Sequence, residues 1–283
     1  MLIYTAPGQG AQTPGFLSPW LEIPGLAEQF GAWSELAGQD LIRLGTTGSA
    51  EEITDTSVAQ PLLVAAALAA AGLLGEPDAA AGHSVGELAA GAIAGVLSAA
   101  DAVRLTSVRG EAMAAATAAE PTGMIAVLGG DEATVLAAIA DAGLTPANIN
   151  GAGQIVAGGT MAQLEAFAAS PPAGARLRPL RVAGAFHTSH MAPAVEALAQ
   201  AAAGTVVKDP SISAITPMSD MVSMHRSQRT GVAIWATIRS TQLAPEVTTP
   251  PSALDSSVIA GSLITVPAAA WASTSTAGAM WLV

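Results

Sequence analysis

The run Ala79-Ala80-Ala81-Gly82-His83-Ser84-Val85-Gly86 contains the pattern G-x-S-x-G, in which small residues around a serine permit a sharp turn from a strand into a helix. Such a turn exposes the serine hydroxyl at the mouth of a sheet, and the next helix brings its unpaired N–H groups close to it. Alanine is a weak strand former, so the glycines rather than propensity mark 79–82 as the strand that feeds the turn. The pentapeptide alone leaves two readings of Ser84 open: a nucleophile, or a serine that caps the following helix. If Ser84 is a nucleophile, the Val85 amide is placed to stabilise the oxyanion that forms on attack.

Before the turn, residues 2–6 read as a short buried strand leading into Pro7-Gly8-Gln9-Gly10-Ala11-Gln12, a loop whose glycines let the backbone approach whatever sits above it. This loop lacks the spacing of a dinucleotide fingerprint. An Ala- and Leu-rich helix is expected from Val58 to Leu74, stopped by Gly75-Glu76-Pro77. Beyond the turn, helix continues to about Gly95, and Ser98-Ala99-Ala100-Asp101 is a capping box opening a second helix. That helix carries Ala102, Leu105, Val108 and Ala112 on one face, with Arg109 beside them. Residues 122–183 then read as strand, helix, two strands, helix and a last strand at 175–182, a β-α-β-β-α-β order that predicts a ferredoxin-like subdomain. The expected organisation is α/β, with residues 1–121 and 184–283 forming a large domain interrupted by 122–183.

The 283 residues suffice for one or two cores. The longest apolar stretch, 61–75, is too short to span a bilayer, and residues 1–4 carry no basic lead-in to a secretory signal, so a cytoplasmic, monomeric protein away from membranes is expected. A formal charge of −12 argues against a nucleic-acid surface, which depends on clustered Lys and Arg. It also means that the few arginines would have to lie at the docking face if the partner were an acidic protein. With no cysteine, thiolate chemistry is excluded, and neither a metal-ligand pattern nor a redox cofactor motif is present.

A serine nucleophile needs a base, and the four histidines are His83, His187, His190 and His225. His187, in Ala185-Phe186-His187-Thr188-Ser189-His190-Met191 after the subdomain, is the best candidate. His190 falls at a helix start, where a structural role is expected. His83, next to the nucleophile in sequence, is expected to turn away. Arg109 suits a carboxylate because its planar fork donates two parallel hydrogen bonds; the competing reading is a surface salt bridge to Glu111 or Glu87.

Six segments occur in the order found in malonyl-CoA:acyl carrier protein transacylases: 7–12, Val58-Ala59-Gln60-Pro61, 82–87, Val108-Arg109-Gly110, Asn148-Ile149-Asn150-Gly151-Ala152-Gly153-Gln154 and 185–188. The chain resembles that family, and the actinobacterial fatty-acid-synthesis enzymes in particular, over residues 1–210. The resemblance implies an α/β-hydrolase-like large domain with the ferredoxin-like insertion. It also implies ping-pong transfer of malonyl from coenzyme A through an ester on Ser84 to the phosphopantetheine thiol of acyl carrier protein. His187 would be base and then acid, Gln9 and Val85 the oxyanion hole, Arg109 the malonyl carboxylate clamp, and Gln60 and Asn150 pocket residues. Coenzyme A enters as a substrate thioester; no cofactor is implied. After about residue 215 the text departs from the family: Gln242-Leu243 stands where a glutamine carbonyl would orient the histidine, and only Ser219-Asp220 and Val266-Pro267-Ala268 echo expected turns. A divergent, truncated or frame-shifted tail is therefore one expectation, with a serine esterase, a thioesterase or an inactive relative as alternatives to the transacylase.

Overall fold

A computed structural model describes residues 2–151 and 153–215. The first strand, β1 (Ile3–Ala6), runs parallel to β2 (Ala79–Gly82), and β2 in turn pairs with β7 (Ser213–Ile215), so that among the described residues the sheet has three parallel strands with β2 between the other two. Ala79 and Ala80 are buried. The propensity shortfall of the alanine run is offset by helices that cover the sheet, the usual condition of a central parallel strand.

Helices that contribute to the large core include α1 (Leu26–Ala37), α2 (Leu41–Thr47), α3 (Thr56–Leu73) and, after the turn at Ser84, α4 (Gly86–Ile93). No element is expected between the glycine loop and Val58, yet α1 buries Leu26, Phe30, Trp33 and Ala37, a four- and three-residue spacing that defines one helical face. Pro61 lies inside α3 and has no N–H to offer the Ser57 carbonyl; the Gln39 side chain donates to that carbonyl at 3.0 Å instead. Long and apolar enough by composition to cross a membrane, α3 is 56% buried inside the protein and packs along α5 (Ala99–Ala119), which marks it as a core helix. As its sequence predicts, α5 starts at a Ser98 cap whose hydroxyl accepts from the Asp101 N–H.

The second sheet consists of β3 (Thr122–Gly129), β4 (Thr145–Gly151), β5 (Gln154–Thr160) and β6 (Ala175–Pro179), antiparallel throughout, in the order β4-β5-β3-β6. Helix α6 (Glu132–Asp141) joins β3 to β4, and α7 (Met161–Ala169), opened by a Thr160–Gln163 capping box, joins β5 to β6. The last strand is shorter than the expected 175–182; it ends at Pro179, which cannot donate to a ladder. One face, Ile125, Val127, Ile155 and Ala157, packs on Val135, Ile139, Leu164 and Phe167 of the two helices. The other face, Met124, Ala126 and Val156, packs on Met113 of α5, on Phe186 and Met191 of the following loop, and on Ala194 of α8 (Ala192–Ala202). The small sheet thus rests against the helix that carries Arg109 and the loop that carries His187.

Candidate active site

Ser84 adopts φ 54°, and a Cβ on either flanking glycine would collide with backbone: at Gly82 it would lie 2.3 Å from the Glu87 nitrogen, at Gly86 2.2 Å from the Ala6 oxygen. The pattern G-x-S-x-G is therefore enforced by packing of the turn against β1 and α4. Val85 is the N-cap of α4 and its N–H has no hydrogen-bond acceptor among the described residues.

His187 is the other non-glycine residue with positive φ among the described residues, at 58°. Two buried threonines hold its loop: Thr122 at the start of β3 accepts from the Ala185 N–H at 3.0 Å, and the Thr188 hydroxyl donates to the Ala185 carbonyl at 2.6 Å. Neither role was read from the sequence, because a threonine that pins a loop leaves no periodic signal.

The two loops meet. Ser84 Oγ lies 2.9 Å from His187 Nε2, and Arg109 Nη2 donates to the same Oγ at 3.1 Å. The second nitrogen of the Arg109 fork, Nη1, donates to Gln60 Oε1 at 2.6 Å, and Gln60 Nε2 in turn faces Met113 Sδ at 3.3 Å. Arg109 and Gln60 are 8% and 1% exposed, so the surface salt-bridge reading of Arg109 does not describe its position. Gln9 sits on the loop after β1 and its side chain reaches Thr56 Oγ1 at 3.3 Å, while its Oε1 is buried with no partner among the described residues. Asn150 Nδ2 donates to Gln154 Oε1 across the β4–β5 hairpin at 3.1 Å, and among the described residues it has no hydrogen bond to Ser84, Arg109 or Gln60. Its neighbour Asn148 is the more deeply buried, 7% exposed, with Nδ2 unpaired among the described residues.

Burial pushes the His187 imidazole down to about 3, helped by the nearby Arg109 cation and by His83. At neutral pH His187 is therefore an uncharged base facing the serine hydroxyl. Burial also lowers Arg109, to about 10, partly offset by the Glu87 charge, so the guanidinium remains positive at neutral pH. His83 does not simply turn away to solvent: a Cβ on Gly8 would meet its Nδ1 at 2.5 Å, so the ring packs over the glycine loop, and its pKa is lowered by burial and by Arg109. His190 takes the structural place expected of it, with Nδ1 3.1 Å from Glu120 Oε2. Gln242 lies outside the described residues, and among those described His187 Nδ1 has no hydrogen-bond partner. No group of three His, Asp or Glu side chains among the described residues is arranged to hold a metal.

Residues 22–249 match the family model of the acyl transferase domain. A malonyl CoA-acyl carrier protein transacylase from Mycobacterium tuberculosis H37Rv is 50% identical over 289 residues, covering 95% of this chain and 96% of that protein. The chain belongs to the malonyl-CoA:acyl carrier protein transacylase family. Its mixed α/β fold matches solved transacylases. The crystal structure of the M. tuberculosis enzyme superposes with a TM-score of 0.73 at 57% identity, covering 76% of this chain and 74% of that one. A malonyl-transacylase solved in complex with a type II polyketide synthase acyl-carrier protein superposes with a TM-score of 0.71 at 28% identity, covering 84% and 80%.

Proposed function

We propose that the chain transfers malonyl from coenzyme A to the phosphopantetheine thiol of acyl carrier protein through an ester on Ser84. The observation that carries this reading is the buried Arg109 fork within 3.1 Å of the Ser84 hydroxyl. A cation fixed beside a nucleophile in a poorly hydrated site selects an acyl group that brings its own carboxylate, because only that group neutralises it.

In the first half-reaction Ser84 Oγ attacks the thioester carbonyl while its proton passes to His187 Nε2. The Val85 N–H and the backbone at Gln9 receive the developing oxyanion. The tetrahedral adduct collapses, the C–S bond breaks, and the departing coenzyme A sulfur takes the proton from His187. In the second half the carrier thiol gives its proton to His187, its sulfur attacks the Ser84 ester, and Ser84 leaves reprotonated. Arg109 holds the malonyl carboxylate through both halves, with Gln60 fixing the fork. Asn150 lines the outer pocket in this reading. A carboxylate paired with Arg109 also offsets the cation that depresses His187, so substrate binding raises the affinity of Nε2 for the proton it must accept.

Residues 1–121 and 184–283 are read as an α/β-hydrolase-like domain and 122–183 as a ferredoxin-like insertion. The parallel β1-β2-β7 sheet with its serine turn and the β4-β5-β3-β6 order of the second sheet support that division.

The test is the mass of the intact protein after brief exposure to malonyl-CoA, followed by addition of holo acyl carrier protein. One malonyl adduct is expected, absent in Ser84→Ala and discharged onto the carrier. An adduct lost to water at the same rate with or without the carrier would make the protein a thioesterase instead.

A further inference from the structure

The loop from Pro7 to Gln12 belongs to no helix or strand, so side chains have to hold its shape. The His83 ring lies against Gly8, where an added Cβ would come within 2.5 Å of Nδ1. The Gln9 side chain crosses to Thr56 Oγ1 at 3.3 Å. Gln12 uses its carboxamide at both ends: Oε1 accepts from the Gly10 N–H at 2.9 Å, and Nε2 donates to the Ile53 carbonyl at 2.9 Å. Gly10 has φ 109°, which residues with a side chain rarely adopt, so the bend that Gln12 closes is not one the chain takes by default.

The far end of this bridge is buried. Ile53 is 2% exposed and sits in a single 3-10 turn, Glu52–Thr54, just before α3. No backbone N–H among the described residues reaches its carbonyl, and Gln12 supplies the donor. The loop is thereby fastened to the segment that opens α3, the helix whose Gln60 holds the Arg109 fork.

The near end of the loop leaves β1 against the serine turn. The His83 N–H donates to the Ala6 carbonyl at 3.0 Å, and a Cβ on Gly86 would lie 2.7 Å from the Pro7 oxygen. While Gln12 takes the Gly10 N–H, the adjacent Gln9 N–H has no acceptor among the described residues, as is true of the Val85 N–H. We propose that Gln12 is a positioning residue for the oxyanion site, an inference that rests on the transfer reaction above. It touches no reacting atom. By tying Gly10 to Ile53 it keeps the Gln9 N–H aimed where the thioester oxygen becomes charged, so that this donor needs no reorganisation when Ser84 attacks. The competing role is fold support alone, a glutamine that satisfies two backbone groups of a loop. Because an oxyanion forms on every thioester, the contribution of Gln12 is shared by malonyl and acetyl substrates, unlike that of Arg109.

The test uses the full chain with Gln12→Met, which keeps the side-chain length and removes both hydrogen bonds. Gly10→Ala is the second variant; its methyl meets nothing within 4 Å, so it disturbs the bend through backbone conformation only. Intact mass is followed after rapid mixing with malonyl-CoA or acetyl-CoA, giving the rate of acyl-enzyme formation and its final amount. Removing an oxyanion donor outright costs about 100- to 1000-fold in turnover, and a donor that is loosened should cost less. Each variant is therefore expected to acylate about 10- to 100-fold more slowly, by the same factor for both thioesters, with KM within about twofold and the final amount unchanged. The double variant should lose about as much as the slower single one, because both act on one bend. An unchanged rate in either variant would overturn the proposal, and so would a smaller amount of acyl-enzyme formed at the original rate, which is the mark of fold support. A loss confined to malonyl-CoA would overturn it by placing Gln12 with the carboxylate clamp. An unsubstituted chain that takes no adduct from either thioester would overturn the transfer reading itself, and this role with it.

Discussion

Replacing Arg109 by alanine should convert a carboxylate-selective site into an indifferent one. In the protein Arg109 divides its fork between Ser84 Oγ at 3.1 Å and Gln60 Oε1 at 2.6 Å, with 8% of its surface exposed. Without it a bound malonyl carboxylate sits unpaired in a poorly hydrated pocket, a loss of about 3–5 kcal/mol for a buried charge pair. Ser84 and His187 beside it are half-buried rather than sealed from water, so the lower part of that range applies, and kcat/KM for malonyl-CoA should fall by about 100- to 1000-fold. Acetyl-CoA brings no carboxylate, and its kcat/KM should change by less than about tenfold. Competition between the two thioesters, read as the mass of the acyl-enzyme, gives the ratio directly. A second signature separates this from simple damage: Arg109 is one of the causes that hold His187 low, so its removal should shift the acid limb of acetyl transfer to higher pH. Arg109→Lys, which keeps the charge but not the fork, should retain more malonyl preference than Arg109→Ala. If Arg109→Ala still prefers malonyl by the original ratio, the clamp reasoning is wrong.

His187 binds a proton in the unfolded chain near 6.5 but in the folded protein only near 3, so between those values the unfolded state holds more protons and stability drops as pH falls. Melting temperature measured from pH 7 down to pH 4 should therefore decline more steeply for the unsubstituted chain than for His187→Gln, and equal slopes would count against the burial of the ring. At the alkaline end Arg109 loses its charge near 10, and malonyl transfer should fall there while acetyl transfer does not, as rate profiles with the two thioesters would show. Gly110→Ala places a methyl 2.9 Å from the Thr56 carbonyl oxygen and 3.1 Å from Ser57 Cα, forcing α5 away from α3. A loss of about 1–3 kcal/mol is expected in denaturant unfolding, and a neutral result would mean that the two helices separate freely at that point. Gln60→Leu removes the acceptor of Arg109 Nη1, and a several-fold rise in the KM for malonyl-CoA with little change for acetyl-CoA should follow.

The chemistry was legible wherever a local rule forced residue types into fixed spacing. Gly82 and Gly86 could be read because any Cβ there strikes backbone, and Ser98 and Asp101 because a helix start needs a side-chain acceptor. The alternating strands and helices of 122–179 were legible for the same reason, with the strand end misplaced by three residues at Pro179. What could not be read lies in contacts between distant segments. Thr122 and Thr188 hold the His187 loop, and Gln39 supplies a donor to the carbonyl that Pro61 leaves bare; each depends on a partner 18 or more residues away or on a turn with no period. Helices α1 and α2 were missed for another reason. The Phe30 and Trp33 face was present in the sequence, but it was masked by the glycines and polar residues around it. Asn150 was singled out on resemblance, whereas burial falls on Asn148, two residues earlier on the same strand.

The left-handed backbone at Ser84 and His187 has a consequence for how the protein would change under selection. Each non-glycine residue held there costs on the order of 1 kcal/mol or more relative to glycine, and these are the two such residues among those described. Stability and turnover therefore compete at the same two positions. A library enriched for thermal resistance alone should be drawn to glycine at 84 and 187 and yield a sturdier, inert protein, whereas selection for turnover must keep both residues and recover the difference elsewhere in the core.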